Sequence, residues 1–365
     1  MKPSPHRAGT AEAPPLPQLA RTLVVMAYAL LATGVATDIA SNPQSTISPA
    51  LATAPVLAGI GTRRARVPLT AGTLAMVFVA WLARADPGVP FAVHLTSGIT
   101  VLAITCISTA NVVLVATRER ELLQSRSVAE AAQLALLRPA PERTGRLRVA
   151  VRYLAAAADA RVGGDLYEVL TTPFGTRLII GDVRGKGLAA VETAADVLGT
   201  FREAAQVEPD LALVAQRLDG TVRRRGHTEE FVTAALVAVA DSGNLAELVD
   251  CGHLPPLLLH AGTVTAIEPG LLVPDPPLGL CELTGSTYHR REFILGRGGM
   301  LLLYTDGATE ARDAQGRFYP LEERLPSMPE SSPEALLDRL VTDLLRYAGG
   351  ELSDDAALLA VHCEK

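Results

Sequence analysis

The chain has 365 residues, enough for two or three domains of ordinary size, and is 48% hydrophobic, 20% charged and 4% aromatic. So apolar a composition excludes disorder as a global description. The four cysteines (Cys106, Cys251, Cys281, Cys363) stand too far apart for a disulfide framework or a zinc site. The net charge of −6 divides unevenly: residues 1–117 hold seven Lys/Arg and three Asp/Glu, net +4, and the remainder holds 26 and 36, net −10. That acidic majority argues against nucleic acid as a partner.

Residues 1–18 are Pro-rich and polar and read as a disordered tail. Four apolar segments follow, at 19–37, 47–61, 67–83 and 91–116. A membrane span needs about 20 apolar residues, so the first, third and fourth qualify by length, and the second is short and carries Pro49 and Pro55. Charge placement decides the second. With four spans, Lys2, Arg7, Arg21, Arg63, Arg64, Arg66, Arg118, Arg120 and Arg126 fall on one side and only Arg84 on the other. The positive-inside rule then predicts a multi-pass domain of about four spans over 19–116 in the cell membrane, with both termini and the remaining chain cytoplasmic.

Residues 117–138 (TRERELLQSRSVAEAAQLALLR) predict a helix running out of the fourth span and stopped by Pro139 and Pro141. Val115, Leu122, Ala129 and Leu136 recur every seven residues with Ser125 and Ala132 between them, a stripe suited to a short two-stranded coil and hence to a homodimer through this linker helix, 117–146.

From 147 to 365 the pattern changes. LRVAVRYL, DLYEVL and TRLIIGDV predict strands, the last two joined by a turn holding Pro173 and Gly175. Helices are expected near 188–206 and 209–225, then short strands around 231–240, 245–250, 256–260, 263–267 and 287–294. A buried strand at 300–307, a helix at 333–348 opened by Pro333 and a closing strand at 355–361 complete the series. Hairpin-linked strands with paired helices predict an α+β fold, an αββα sandwich of two antiparallel sheets flanked by helices.

Aspartates recur where apolar strands begin or end: Asp165 after Gly163-Gly164, Asp182 after LIIG, Asp306 after LLLYT, and Asp354-Asp355 before AALLAV. One aspartate before a glycine is ordinary turn chemistry. Strand ends on one side of a sandwich converge, however, and several carboxylates brought together repel unless a cation sits among them. All-oxygen ligation selects hard ions, Mg²⁺ or Mn²⁺.

The blocks GGDLYEV (163–169), GDVRGKG (181–187), CGHLPPLLL (251–259), PLGL (277–280), LLYTDGATEAR (302–312) and SDDAALLAV (353–361) resemble those of the metal-dependent protein phosphatases, and more narrowly the bacterial SpoIIE-type branch of the protein phosphatase 2C-like group. The resemblance implies two Mn²⁺ or Mg²⁺ ions per active site. It also implies hydrolysis of phosphoserine or phosphothreonine in a protein, typically an anti-anti-sigma-factor-like partner. By the same resemblance Asp182 bridges both metals, the carbonyl of Val183 is a neighbouring ligand, Asp306 and Asp354 hold one metal, and Asp165 holds a metal or its water. Asp355 occupies a further acidic slot that need not ligate directly. Where eukaryotic relatives place a histidine two residues after the bridging aspartate, this chain has Arg184.

Four further residues are candidates for phosphate or substrate contact. Lys186 is one of only three lysines against 30 arginines, and the other two lie at positions 2 and 365. A compact ammonium between two glycines suits a phosphate, though a solvated lysine is the bland alternative. His253 either shapes the metal rim or acts in acid–base chemistry; Arg161 and Arg184 are possible phosphate clamps or solvated arginines. The reading is a membrane-anchored phosphatase, with a catalytically silent phosphatase-like scaffold or a membrane sensor as alternatives.

Overall fold

The computed structural model describes residues 18–40, 46–85, 88–156, 163–225, 230–241, 244–268, 275–328 and 332–364. Residues 1–17 of the predicted tail 1–18, and Arg161, lie outside them, and Gln18 already belongs to a helix. The chain forms two compact units, Met1–Gln124 and Ser125–Lys365.

In the first unit, α1 (Gln18–Ala40), α3 (Arg66–Ala85) and the first part of α4 (Phe91–Leu136) are long and apolar enough to cross a membrane. The second apolar segment differs: a 3₁₀ turn at Ser48–Ala52 leads into α2 (Thr53–Ile60), an apolar helix too short for that class. The segment nevertheless runs the length of its neighbour. At one end the Ile47 amide donates to Asp38 Oδ1 at 2.6 Å; at the other, Gly61 lies so close to Ala20 that a Cβ would meet its carbonyl oxygen at 2.3 Å. Ala20 to Asp38 spans about 27 Å of α-helix. The 3₁₀ turn rises about 2.0 Å per residue and helps a short segment cover that distance. Arg63 pairs with Glu119 at 2.9 Å, so the basic 61–66 loop and the basic stretch after the fourth apolar segment share one end of this unit.

The second unit begins with the last turns of α4, which end at Leu136 before Pro139. Its strands are β1 (Arg143–Thr144), β2 (Leu147–Leu154), β3 (Leu166–Thr172), β4 (Gly175–Val183), β5 (Val232–Val239) and β6 (Leu245–Cys251). These are followed by β7 (Leu257–His260), β8 (Thr263–Ala266), β9 (Arg290–Ile294), β10 (Met300–Tyr304) and β11 (Ala356–Cys363). They form two antiparallel sheets, β1-β2-β11-β10-β7-β8 and β3-β4-β5-β6-β9. The helices α5 (Leu188–Val207) and α6 (Leu211–Arg224) cover the second sheet. Three short helices, α7 (Cys281–Thr284), α8 (Asp306–Thr309) and α9 (Leu321–Arg324), sit in connections, and α10 (Pro333–Tyr347) covers the first sheet.

The strand pattern explains the layering. In β11, Ala357, Leu359 and Val361 enter the core between the sheets, while Ala356, Leu358 and Ala360 enter the core under α10. A strand buried on both faces reads as a continuous apolar run, as AALLAV does. The β3–β4 hairpin turns through Pro173 and Gly175, whose φ of 97° suits glycine. The buried Arg177 was not singled out from sequence. Its guanidinium donates to the carbonyls of Ala205 (3.0 Å) and Pro209 (2.6 Å), a cation closing the carboxy-terminal end of α5.

The linker stripe needs a correction. Ala129 and Ala132 pack against Val191 of α5 and Leu136 against the intersheet core, so these heptad positions are spent within the chain. Only Val115 and Leu122, both exposed, remain of the apolar heptad positions for a coil with a second copy.

Candidate metal centre

Four chain segments bring the strand-end acids together. Asp165 precedes β3, Asp182 stands in the last turn of β4 opposite Thr233 of β5, Asp306 opens α8 just after β10, and Asp354 and Asp355 precede β11. Antiparallel pairing of β3 with β4 and of β10 with β11 puts all these ends on one side of the sandwich. The acids line a cavity of about 30 Å³ together with Gly163, Gly164, Gly185 and Lys186. That is room for a water molecule or an ion.

Close approach of backbones makes this convergence possible. A Cβ on Gly164 would stand 2.5 Å from the Val183 carbonyl oxygen, and one on Gly307 would stand 1.9 Å from that of Asp355. The Val183 amide in turn donates to the Gly164 carbonyl at 3.2 Å, tying the GGD turn to the end of β4. The Val183 carbonyl expected as a ligand therefore faces Gly164.

The electrostatics follow from crowding. Burial first, then the charge of Asp182, holds the Asp165 carboxyl well above the usual carboxylate range. Burial, then Asp306 and Asp354, pushes Asp182 up to about 7; burial, then Glu310 and Asp354, raises Asp306. Buried acids that raise one another are stabilised as anions by a cation placed among them. The donor set of hard carboxylate oxygens fits Mg²⁺ or Mn²⁺. Among the described residues no three His, Cys, Asp or Glu groups stand as a closed ligand cage. Asp354 is instead drawn to Lys186, Nζ to Oδ2 at 2.7 Å. The donor chemistry fits the ions, and transfer of Asp354 from the ammonium to a cation would complete the set.

The two adjacent aspartates part company. Asp355 Oδ1 accepts from the Ala156 amide (2.7 Å), and Oδ2 accepts from Tyr153 Oη (2.8 Å) and the Gly163 amide (2.7 Å). Asp355, the slot that need not ligate directly, accepts from three donors and holds the GGD turn against β2. His253, expected either to shape the rim or to act in acid–base chemistry, is a buried bridge between two strands. Nδ1 meets Thr233 Oγ1 at 3.2 Å, Nε2 meets the Tyr304 carbonyl at 3.1 Å, and burial pushes the imidazole down to about 4. It couples β5 beside Asp182 to the end of β10 beside Asp306. Arg184 lays its guanidinium over the Phe231 ring at 5.2 Å and is not part of the cavity wall.

Two supporting residues escaped the sequence reading. Thr305, with no exposed surface, donates from Oγ1 to Asp165 Oδ2 (2.8 Å) and accepts from the Ala357 amide (2.9 Å). Its only signal was its place before Asp306. Gln133, in the last turns of α4, donates from Nε2 to the Asp165 carbonyl at 3.3 Å, and nothing in its local sequence announced that contact.

Known proteins share this fold. Residues 172–364 match the family model described as Stage II sporulation protein E (SpoIIE), just over half of the chain. The RsbU and RsbW domains of Rv1364c from Mycobacterium tuberculosis are 26% identical, with a TM-score of 0.51 over 60% of this chain and 61% of that one. The PP2C phosphatase domain of SpoIIE from Bacillus subtilis, with a fragment of its regulatory domain, gives 16% identity and a TM-score of 0.51 over 60% and 64%. The SiaA-PP2C domain of Pseudomonas aeruginosa gives 18% and 0.56 over 68% and 99%. This chain thus spans about three fifths of the first two. The matched region contains Asp182, Asp306 and Asp354, and the two-sheet sandwich is shared, so the chain belongs to the SpoIIE family and is homologous to PP2C-type serine/threonine phosphatases.

Proposed function

We propose that this protein is a membrane-anchored, metal-dependent protein phosphatase that hydrolyses phosphoserine or phosphothreonine in a cytoplasmic regulatory protein of the anti-anti-sigma-factor kind. One observation carries the reading: Asp165, Asp182, Asp306 and Asp354, from four separate segments, line a single small cavity. The family supports the reaction type, and the pairing of RsbU and RsbW domains in the Mycobacterium tuberculosis relative supports a regulatory phosphoprotein as substrate.

Asp182 and Asp165 would hold one ion, and Asp306 and Asp354, with Asp182 shared, a second. Such ions supply charge for the phosphoryl oxygens and a water of lowered pKa. The protein's own part is positional. Thr305 fixes the Asp165 carboxylate, Asp355 fixes the turn that carries it, and His253 ties the Asp182 strand to the Asp306 strand. Lys186 lies on the cavity wall within reach of Asp354 and, released from it, offers an ammonium to a phosphate oxygen. With an arginine at 184 in place of the relatives' histidine, and that side chain off the cavity wall, the leaving serine or threonine oxygen takes its proton from water.

Three helices long and apolar enough to span, and a fourth segment running the length of α1, support a multi-pass anchor with its basic end in the cytoplasm. The test is turnover by the full-length protein of p-nitrophenyl phosphate and of a phosphoserine peptide, with and without Mn²⁺. Metal-dependent release of phosphate supports the reading. Binding of a phosphoprotein without release would leave the catalytically silent scaffold in its place.

A further inference from the structure

Lys186 holds a position that the composition of the chain does not explain. It is the only lysine between positions 2 and 365, in a sequence that otherwise writes arginine. Its Nζ lies 2.7 Å from Asp354 Oδ2, while Asp354 Oδ1 accepts from the Asp355 amide at 3.0 Å. Against burial and the neighbouring acids, its charge also helps to keep Asp182 and Asp306 ionised. One ammonium thus serves three of the acids that line the cavity. With Lys186 in its wall, that cavity of about 30 Å³ has room for a single water or ion. A second ion held by Asp354 has to take the place of the ammonium.

The loop lets the ammonium depart. It is anchored at both ends: the Arg184 amide donates to the Phe231 carbonyl at 2.9 Å, and the Val191 amide to the Gly187 carbonyl at 3.2 Å. Between these anchors Gly185 and Gly187 have φ of 119° and 83°, and a Cβ on either would meet nothing within 4 Å. At Gly164 and Gly307, by contrast, a Cβ would strike backbone. The glycines around Lys186 therefore supply conformational freedom rather than close packing. The pair itself is half-exposed, at 39% and 36% for the two side chains, and such pairs are weak. A guanidinium would grip the carboxylate through two parallel hydrogen bonds. The ammonium is a single point charge on a flexible stem and is easier to displace.

We propose that Lys186 is a positioning residue that keeps the second ion's place: its ammonium neutralises Asp354 until a phosphate dianion draws it away, so that phosphate and the second divalent ion each raise the other's affinity. The inference rests on the metal-dependent phosphatase reading and adds an order to it. Lys186 changes partner from carboxylate to phosphoryl oxygen, and Asp354 then becomes available as a ligand. Without a phosphorylated substrate the centre stays incomplete. Linkage makes the coupling reciprocal.

The test counts Mn²⁺ bound to the full-length protein, from the electron paramagnetic resonance signal of the free ion, with and without inorganic phosphate. The parent should bind one ion tightly and a second weakly, and phosphate should tighten the second by about fivefold or more. Lys186→Met should tighten the second ion to a similar degree without phosphate, leave the first within about twofold, and shrink the phosphate effect. Lys186→Arg, which keeps the charge and grips Asp354 harder, should loosen the second ion. A general effect of charge would instead move both ions in Lys186→Met and neither in Lys186→Arg. That pattern, or a parental second affinity in Lys186→Met, would overturn the proposal and leave the metal centre standing. A parent protein that bound no Mn²⁺ would overturn the phosphatase reading and this inference together.

Discussion

Asp219 and Asp275, away from the strand-end cavity, are each 5% exposed, about as buried as Asp165 at 3%. Their surroundings differ completely. Asp219 Oδ1 accepts from the Gly279 amide (2.8 Å), the Cys281 amide (3.2 Å) and Tyr288 Oη (3.1 Å), and Arg223 pairs with Oδ2 at 3.2 Å. Asp275 accepts from the His289 amide at 2.7 Å and from the His289 ring at 2.9 Å. The protein supplies donors enough for both. At the cavity, Asp165 has the hydroxyl of Thr305, and its next neighbours are other acids. Burial alone is thus no mark of a site. An acid saturated by protein donors is scaffold, and one left facing other acids awaits a cation.

This contrast predicts opposite consequences for chemically similar substitutions. Asp182→Asn or Asp306→Asn should lower metal-dependent turnover by at least about 100-fold, because each removes a charge that the ions require. Their metal-free melting temperature should hold or rise, since like-charge repulsion is relieved. Asp219→Ala should do the reverse. It strands two amides, a hydroxyl and a guanidinium, costs about 3 kcal/mol and lowers the melting temperature by roughly 6–12 °C, with turnover per folded molecule unchanged. Calorimetry and steady-state kinetics on the same preparations check both, and an Asp182→Asn protein that turned over normally with Mn²⁺ would sink the metal assignment.

Asp354 and Asp355 carry the comparison within two residues. Asp355→Ala should destabilise by about 2 kcal/mol through the loss of three donors' common acceptor, and Tyr153→Phe by about 1 kcal/mol. Asp354→Asn breaks only the half-exposed pair with Lys186 and should leave stability within about 0.5 kcal/mol while abolishing turnover. Urea denaturation of the three variants distinguishes brace from ligand.

Much of this was legible beforehand, and the exceptions have physical causes. Strand-end aspartates were visible because an apolar run followed by Asp interrupts a pattern, and the sandwich was visible because hairpin-linked strands were accompanied by paired helices. The division of labour between Asp354 and Asp355 was not, because it depends on which carboxylate meets the amides of Ala156 and Gly163, residues nearly two hundred positions away. Arg161 could not be placed, lying outside the described residues. The linker stripe misled for a related reason: a row of alanines seats as well on α5 of its own chain as on a second copy.

Titration sharpens the scaffold side of the comparison. Burial pushes Asp250 up to about 6, against the help of the His253 amide, and pushes His253 down to about 4. The signs oppose. A raised acid contributes stability that is present below its unfolded pKa near 4 and lost as pH rises through 6. A depressed histidine contributes stability present above its unfolded value of 6.5 and lost as pH falls through 4. Between pH 4 and 6 the two contributions, each on the order of 3 kcal/mol, largely cancel. Asp250→Asn should therefore unmask a fall in stability on acidification, and His253→Gln a rise. Melting curves across that window that kept the parental slope in both variants would refute the coupling.

The smallest effect expected is at the junction of α4 with the catalytic unit. Gln133 reaches the Asp165 carbonyl while Ala129 and Ala132 seat the same helix on Val191, so the end of α4 touches the backbone of a proposed metal ligand. A single neutral hydrogen bond is worth about 1 kcal/mol, so Gln133→Met, similar in volume, should lower turnover by no more than about fivefold without altering the fold. Inserting residues near Ser127 tests whether helix phase matters. Each added residue turns the helix by about 100° and advances it about 1.5 Å, so one or two residues carry the preceding helix out of register and four nearly restore it. If α4 transmits rotation to Asp165, turnover should fall with one or two inserted residues and recover with four. If it is a tether held only by Ala129 and Ala132, turnover should decline steadily with insert length or stay constant, and the Gln133 contact would then be a local brace.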